Sequence, residues 1–189
     1  MTVKVGIVMP SGNVIQGHTV TKLTELVYTT KLDLQFFNPR GALVEQNRMR
    51  GVDHALKAGC THVMFIDSDM TFPPDGIERL LVHGTPIVGC DYPLRDGTGR
   101  STAGGWDMHH TNGPLVPVNR IGCGFLLIDS EVFSKVERPW FKVLWNKDQI
   151  VSEDVYFIRQ AKKKGYTTYV DTYLSREIGH LGIAEFTLP

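Results

Sequence analysis

The sequence predicts an α/β fold in a single domain, a mainly parallel sheet flanked by helices. Three observations predict it. Short runs rich in strand-favouring residues alternate with helical patterns through the first half of the chain, the order that winds a parallel sheet. Val63, Met64, Phe65 and Ile66 form a wholly apolar run, of the kind that lies inside a sheet covered on both faces, and it stops abruptly at Asp67-Ser68-Asp69. The chain has 189 residues, 42% hydrophobic and 21% charged, which suits one ordinary globular domain with a substantial core.

Residues 3–9 are a β-rich run closed by Pro10-Ser11-Gly12-Asn13, a first buried strand and its turn. A helix follows, starting at Val14 or Thr19 and running to Thr30. Leu32, Leu34 and Phe36 alternate as a second strand, ended by Asn38-Pro39-Arg40-Gly41. In the helix over residues 44–56, Arg48 shares a face with Val52 and Ala55, because separations of four and seven return to the same side. Two readings of that arginine stand. Its head snorkels into solvent, or the stripe's amino end opens on a ligand crevice where a planar guanidinium meets a nucleotide or its phosphates.

At Asp67-Ser68-Asp69 an extended backbone sends residues two apart to one side, so both carboxylates would face a crevice at the strand's carboxyl end. Open α/β sheets bind ligands there. Two carboxylates repel unless a cation lies between them, and hard oxygen ligands suit magnesium or manganese, which usually take substrate phosphates as further ligands. The plain alternative is a strand-to-helix junction, with Asp69 or Thr71 capping a helix over residues 73–82. The buried strand before the motif favours the metal.

Pro73-Pro74 with Asp75 opens that helix, His83-Gly84 ends it, and residues 86–90 are a fourth strand. Residues 91–119 read as a long loop, punctuated by Gly97, Gly99, Gly104, Gly105, Gly113 and three prolines. Arg95 and Arg100 are loop cations, either solvated or facing an anionic ligand. His109-His110 is discounted as a metal pair, since adjacent side chains point apart in most backbones. Residues 125–128 form a fully apolar strand entered through Gly122 and Gly124. Those glycines permit close approach of a backbone or a ligand, or mark a turn and bulge. Trp140, Phe141 and Trp145 surround a further strand and are assigned to the core rather than to an acceptor platform.

Ser152-Glu153-Asp154 begins the clearest helix, with Lys162, Lys163 and Lys164 in its last turn and Gly165 as its stop. Glu153 and Asp154 serve as first-turn acids, or as rigidly held carboxylates for chemistry if that end of the helix faces the crevice. Residues 167–170 form a final strand. In Ile178-Gly179-His180-Leu181-Gly182 the histidine is structural or a neutral nitrogen ligand.

Lys+Arg and Asp+Glu are both 20, so no global field draws the protein to nucleic acid or to an anionic membrane. Cys60, Cys90 and Cys123 are odd in number and lack metal-type pair spacing, which points to buried thiols in a reducing compartment. The amino end, MTVKVGIVMP, is too short an apolar stretch for a signal peptide's core, and no run approaches the ~20 apolar residues of a spanning helix. Cytoplasmic location is the expectation.

Taken in order, these parts resemble the GT-A glycosyltransferases, and within them compact soluble members similar to glycosyltransferase family 2. The resemblance rests on Met9-Pro10-Ser11-Gly12, the helix carrying Arg48, THVMFIDSDM with Phe72-Pro73, PIVGCDYPLR, GCGFLLID, Pro139-Trp140-Phe141, SEDVYF and IGHLG, which together span nearly the whole chain. It implies a Rossmann-like GT-A domain over residues 1–189, with a nucleotide-binding half to about residue 95 and an acceptor and catalytic half from about residue 96. It implies Mn2+ or Mg2+ on Asp69, with Asp67 on the metal or the ribose and His180 completing the metal site. Asp154 looks like the general base of inverting members, with Glu153 orienting sugar or acceptor. Pro10, Ser11 and Arg48 sit where the family meets the nucleotide, with Ser68 between the two aspartates, and Arg95 and Gly124 lie near the sugar.

The partners implied are a nucleotide-sugar donor, uridine diphosphate sugars favoured, and a hydroxyl acceptor. This chain departs from family 2 where the second strand ends Phe36-Phe37-Asn38-Pro39 instead of in paired aspartates followed by Gly-Ser, which leaves the nucleobase open. The Gln-x-x-Arg-Trp motif of processive synthases is absent. Little sequence remains for an acceptor region, which leaves room for a partner or a homo-oligomer. A nucleotidyltransferase is the rival enzyme, but Pro10-Ser11-Gly12-Asn13 has no cation for its phosphate loop. A nucleotide-sugar binding module without turnover is the third alternative.

Overall fold

The computed structural model describes residues 2–96, 98, 100–104, 113–146, 149–182 and 185–187. In chain order its elements are β1 (Lys4–Val8), α1 (Gly17–Thr29), β2 (Asp33–Phe37), α2 (Val44–Lys57), β3 (His62–Ile66), β4 (Met70–Thr71), α3 (Gly76–Val82) and β5 (Ile87–Gly89). There follow β6 (Leu115–Val118), β7 (Phe125–Asp129), α4 (Ser130–Lys135), β8 (Leu144–Asn146), β9 (Gln149–Val151), α5 (Glu153–Lys163), β10 (Thr168–Asp171), a 3₁₀ turn (Leu174–Glu177), β11 (Gly179–Leu181) and β12 (Glu185–Phe186).

Among the described residues the central sheet has seven strands in the order β2-β1-β3-β7-β5-β10-β6. β1 is parallel to both β2 and β3, and β5 is parallel to β10. β7 lies antiparallel between β3 and β5, and β6 runs antiparallel along the β10 edge. Five strands therefore point one way and two the other. The sheet is mainly parallel, as the alternation of strands and helices predicts. The reversed β7 gathers the site, because its amino end meets the carboxyl ends of β3 and β5.

The central strands are covered on both faces. Val63 and Phe65 pack into one apolar cluster while Met64 and Ile66 pack into the other, and all four are fully buried. β7 divides in the same way, with Leu126 and Ile128 on one side and Phe125 and Leu127 on the other. Period-two geometry in a doubly covered sheet demands this continuous apolar run. Leu26 of α1 and Ile77 and Leu80 of α3 close one face; Val52 and Ala55 of α2, Phe133 of α4 and Phe157 of α5 close the other. α2 lies unusually near the sheet. A Cβ at Gly51 would stand 2.2 Å from Val8 Cγ1, and one at Gly6 would stand 2.8 Å from Ala55 Cβ. The stops predicted at Gly84 and Gly165 are present, with φ of +60° and +89°, where a side chain is strained.

Several expectations change. Residues 91–119 are not all loop, since β6 lies there, with Pro117 on an outer strand where a missing N–H costs no ladder bond. Neither Asp69 nor Thr71 caps a helix: Thr71 is in β4, and α3 starts only at Gly76. β2 is an edge strand, and Phe36 on it is half-exposed. Trp140 and Phe141 are core residues as expected, but Trp145 is 76% exposed, because β8 and β9 form a separate hairpin off the main sheet. Cys60, Cys90 and Cys123 are buried free thiols. Among the described residues no helix is long and apolar enough to cross a membrane. His109-His110, Gly97, Gly99 and Gly105 lie outside the described residues.

Candidate functional site

The carboxyl ends of β1, β3 and β5, the amino end of β7 and the amino end of α5 converge at one edge of the sheet. Strand direction alone brings Ser11, Asp67, Tyr92 and Gly124 there. The close seat of α2 on β1 carries Arg48 to the same place. Arg48 is 4% exposed, with Nε 3.1 Å from Glu153 Oε1 and Nη2 3.3 Å from Asp67 Oδ2. Nη1 stands 3.0 Å from Asp67 Oδ1, an ion-pair distance, although its N–H finds no well-aligned acceptor. Burial acts to lower the Arg48 pKa, but Asp67 and Glu153 hold the group charged, well above its ordinary range. Glu153 is raised, because desolvation outweighs the pull of Arg48.

The snorkelling reading of Arg48 therefore fails. Its guanidinium is enclosed and engaged by two carboxylates, so direct contact with a nucleotide is also a poor description. The reach of a long planar side chain, read on the helix face, becomes a buried clamp joining β3 to α5.

Asp67 and Asp69 do not act as a pair facing the same way. Residues 68–69 form a turn instead of an extended strand, and each carboxylate has its own cation. Both Asp67 oxygens lie against Arg48, whereas Asp69 Oδ2 is 2.8 Å from Arg95 Nη1 and 3.7 Å from His180 Nε2. Burial pushes the Asp69 pKa up, but the hydrogen bond and charge of His180, with Arg95, bring it below the usual value. His180 is placed by strand pairing: β11 runs antiparallel to β4, His180 opposes Met70, and Leu181 N–H donates to the Asp69 carbonyl at 2.7 Å. Its Nδ1 donates to the Pro93 carbonyl at 2.9 Å, which turns Nε2 toward the Asp69 carboxylate. Arg95 Nη1 also donates to the Leu181 carbonyl at 3.0 Å.

Asp69 and His180 thus fit two positions on a divalent cation; Asp67, engaged by Arg48, does not add a third. Among the described residues no group of three or more His, Cys, Asp or Glu is arranged to hold a metal. That donor set suits an ion that takes its remaining oxygens from a ligand.

Asp154 is oriented locally. Its Oδ1 accepts the Ser152 hydroxyl and, at 2.6 Å, the Val155 N–H. Ser11 is held by Asn38, whose Nδ2 donates to Ser11 Oγ at 2.9 Å, and Pro10 beside it is buried. The Ser68 carbonyl accepts Gln16 N–H at 2.9 Å, tying the turn to the start of α1.

The close approach that Gly124 permits is made by a side chain of the protein itself, Tyr92. A Cβ at Gly124 would lie 2.5 Å from Tyr92 Oη, and one at Gly122 would lie 2.2 Å from the same atom. The two glycines make room for the Tyr92 phenol, which accepts Gly124 N–H at 2.8 Å while its ring meets the His180 ring edge-on at 5.2 Å. Burial, then Asp67 and Asp154, raise the Tyr92 pKa far above the ordinary phenol range. Asp91 braces the segment by accepting the N–H groups of Tyr92 and Ala103 at 2.9 and 2.7 Å. Sequence reasoning missed both residues. The signal was present: a polar Asp-Tyr directly after a buried strand, and two glycines spaced to receive something large. Tyr92→Phe should strand a buried donor at Gly124 and cost about 1–3 kcal/mol, read as a lower urea midpoint at unchanged slope. An unchanged midpoint would mean that the Gly124 N–H is satisfied without the phenol.

The fold and site define an α/β protein with paired ion clusters at the carboxyl edge of its sheet. The chain is similar to the solved structure of A197 from STIV, with a TM-score of 0.67 and 20% identity, over 99% of this chain and 95% of that one. A likeness of that kind shows a shared fold. No protein-family model and no curated protein sequence matches the chain.

Proposed function

We propose that the chain is a metal-dependent glycosyltransferase of GT-A type, moving a sugar from a nucleotide-diphosphate sugar, uridine diphosphate favoured, to a hydroxyl acceptor with inversion. One observation carries the reading: His180 Nδ1 is pinned to a backbone carbonyl, which turns Nε2 toward the Asp69 carboxylate at the carboxyl end of β3. In this reading Asp69 and His180 hold Mn2+ or Mg2+, which when bound stabilises charge on a departing diphosphate. Asp154, its Oδ1 fixed by Ser152 and Val155, presents its other oxygen to take the proton from the attacking hydroxyl. Arg48 keeps Asp67 and Glu153 fixed on either side. Arg95, 45% exposed, neutralises Asp69 and has room to turn toward a ligand phosphate.

The test is thermal stabilisation by uridine diphosphate and its sugars, with and without manganese. Binding to the native state raises the melting temperature by mass action. Stabilisation should require manganese, and Asp69→Ala and His180→Ala should each weaken it by about 10-fold or more while both variants remain folded. Manganese-dependent stabilisation unchanged in both variants would remove the proposed metal site. Donor hydrolysis, measured alongside, separates an enzyme from a module that binds without turnover.

A further inference from the structure

Val155, Arg159 and Lys162 lie along one face of α5, because separations of four and seven return to the same side of a helix. Across an opening of about 470 Å³ they face Gly104, Asn119 and Arg120. Three cations from two separate parts of the chain therefore line one cavity, and among the described residues no carboxylate lines it, in a sequence whose charges balance at 20 and 20. Two of the cations are seated. Lys162 Nζ donates to Asn119 Oδ1 at 2.8 Å, and the Arg120 side chain lies so close over Gly104 that a Cβ there would stand 2.4 Å from Arg120 Nε. Past Lys162 and Asn119, which line both, the groove continues into a cavity of about 270 Å³ beside Tyr166.

We propose that this groove holds the anionic group of the acceptor, a phosphate ester, while the acceptor's hydroxyl reaches the amino end of α5; the assignment to an acceptor rests on the transferase reading. Three cations around one opening suit a dianion better than a single carboxylate. Val155, at the near end of the cavity, directly follows Asp154. Arg159 is five residues beyond Asp154, about 7.5 Å further along the helix axis. The donor's diphosphate is assigned elsewhere, to Asp69 and His180, whose cation neighbour is Arg95.

Inorganic phosphate is the probe, titrated onto the whole chain by calorimetry and followed by melting temperature. Phosphate should stabilise the protein where acetate at equal ionic strength does not. Arg120→Ala and Arg159→Ala should each weaken phosphate binding roughly 10-fold, the loss of one charge-assisted hydrogen bond, and Lys57→Ala should leave it unchanged. Equal phosphate affinity in the Arg120→Ala/Arg159→Ala double variant and the natural chain would overturn the site, as would equal stabilisation by acetate. The double variant should keep manganese-dependent stabilisation by uridine diphosphate; its loss would assign these cations to the donor and overturn the acceptor role. A phosphate response in a chain that answers to no nucleotide would also overturn that role, through failure of the transferase reading, while the anion site itself would stand.

Discussion

Asp154→Asn transfers sugar roughly 10²–10⁴-fold more slowly than the natural chain while its donor affinity is nearly unchanged; this is the expected result if Asp154 takes the acceptor's proton. The substitution keeps size, and an amide oxygen still accepts the Val155 N–H that the carboxylate accepts at 2.6 Å. Proton acceptance is removed, and with it the negative charge. Were Asp154 a helix-end charge and nothing more, the change would cost about 0.3–1 kcal/mol of stability and leave turnover intact. Glu153→Gln is the control, since Glu153 begins the same helix but its carboxylate is directed onto Arg48 at 3.1 Å. A turnover loss there as large as at Asp154 would mean the base is shared or misassigned. Steady-state transfer and calorimetric donor binding measure both quantities, and normal transfer by Asp154→Asn would rule out the inverting mechanism proposed.

Arg48→Met should lower folding stability by about 3–5 kcal/mol, the usual cost of removing one partner from a buried ion pair and leaving the other charge uncompensated. Glu153 is 8% exposed and loses its cation outright, while Asp67 retains some access to water. Adding Glu153→Gln to Arg48→Met should restore part of the loss, because a neutral amide is far less costly to bury than a carboxylate. A single-variant loss below 1 kcal/mol in urea denaturation would show that the cluster is solvated and does not clamp β3 to α5. The acid side gives a second readout. Glu153 has its folded pKa raised by burial, so the folded state binds the proton more tightly than the unfolded chain does. Protonation therefore favours folding: relative to Glu153→Gln, the natural chain should gain stability as pH falls from the raised folded value toward the ordinary carboxylate range, and gain nothing more below it.

Much of the fold was legible in the chain. The run Val63 to Ile66 could only be buried on both faces, and the two glycines at Gly84 and Gly165 ended helices where a positive φ was needed. The stripe of Arg48, Val52 and Ala55 was also sound, since all three are buried together. The partners of Arg48 were not legible. Glu153 lies 105 residues away, and no local pattern links a helix face to the first turn of another helix. The same limit explains Gly124. A glycine advertises that something comes close without saying what, and the occupant is a phenol from 32 residues earlier.

By itself the sequence determined the alternation of strands and helices, the buried central strand and the residue types at its end, because periodicity and burial are properties of neighbouring residues. Tertiary structure alone decided how those residues divide. It reversed β7 between β3 and β5, turned the backbone at residues 68–69, gave Asp67 to Arg48 and gave Asp69 to Arg95 and His180. The physical reason is that a carboxylate held in a half-buried site is oriented by whichever cation the packing brings within ion-pair distance, and strand order fixes which cation that is.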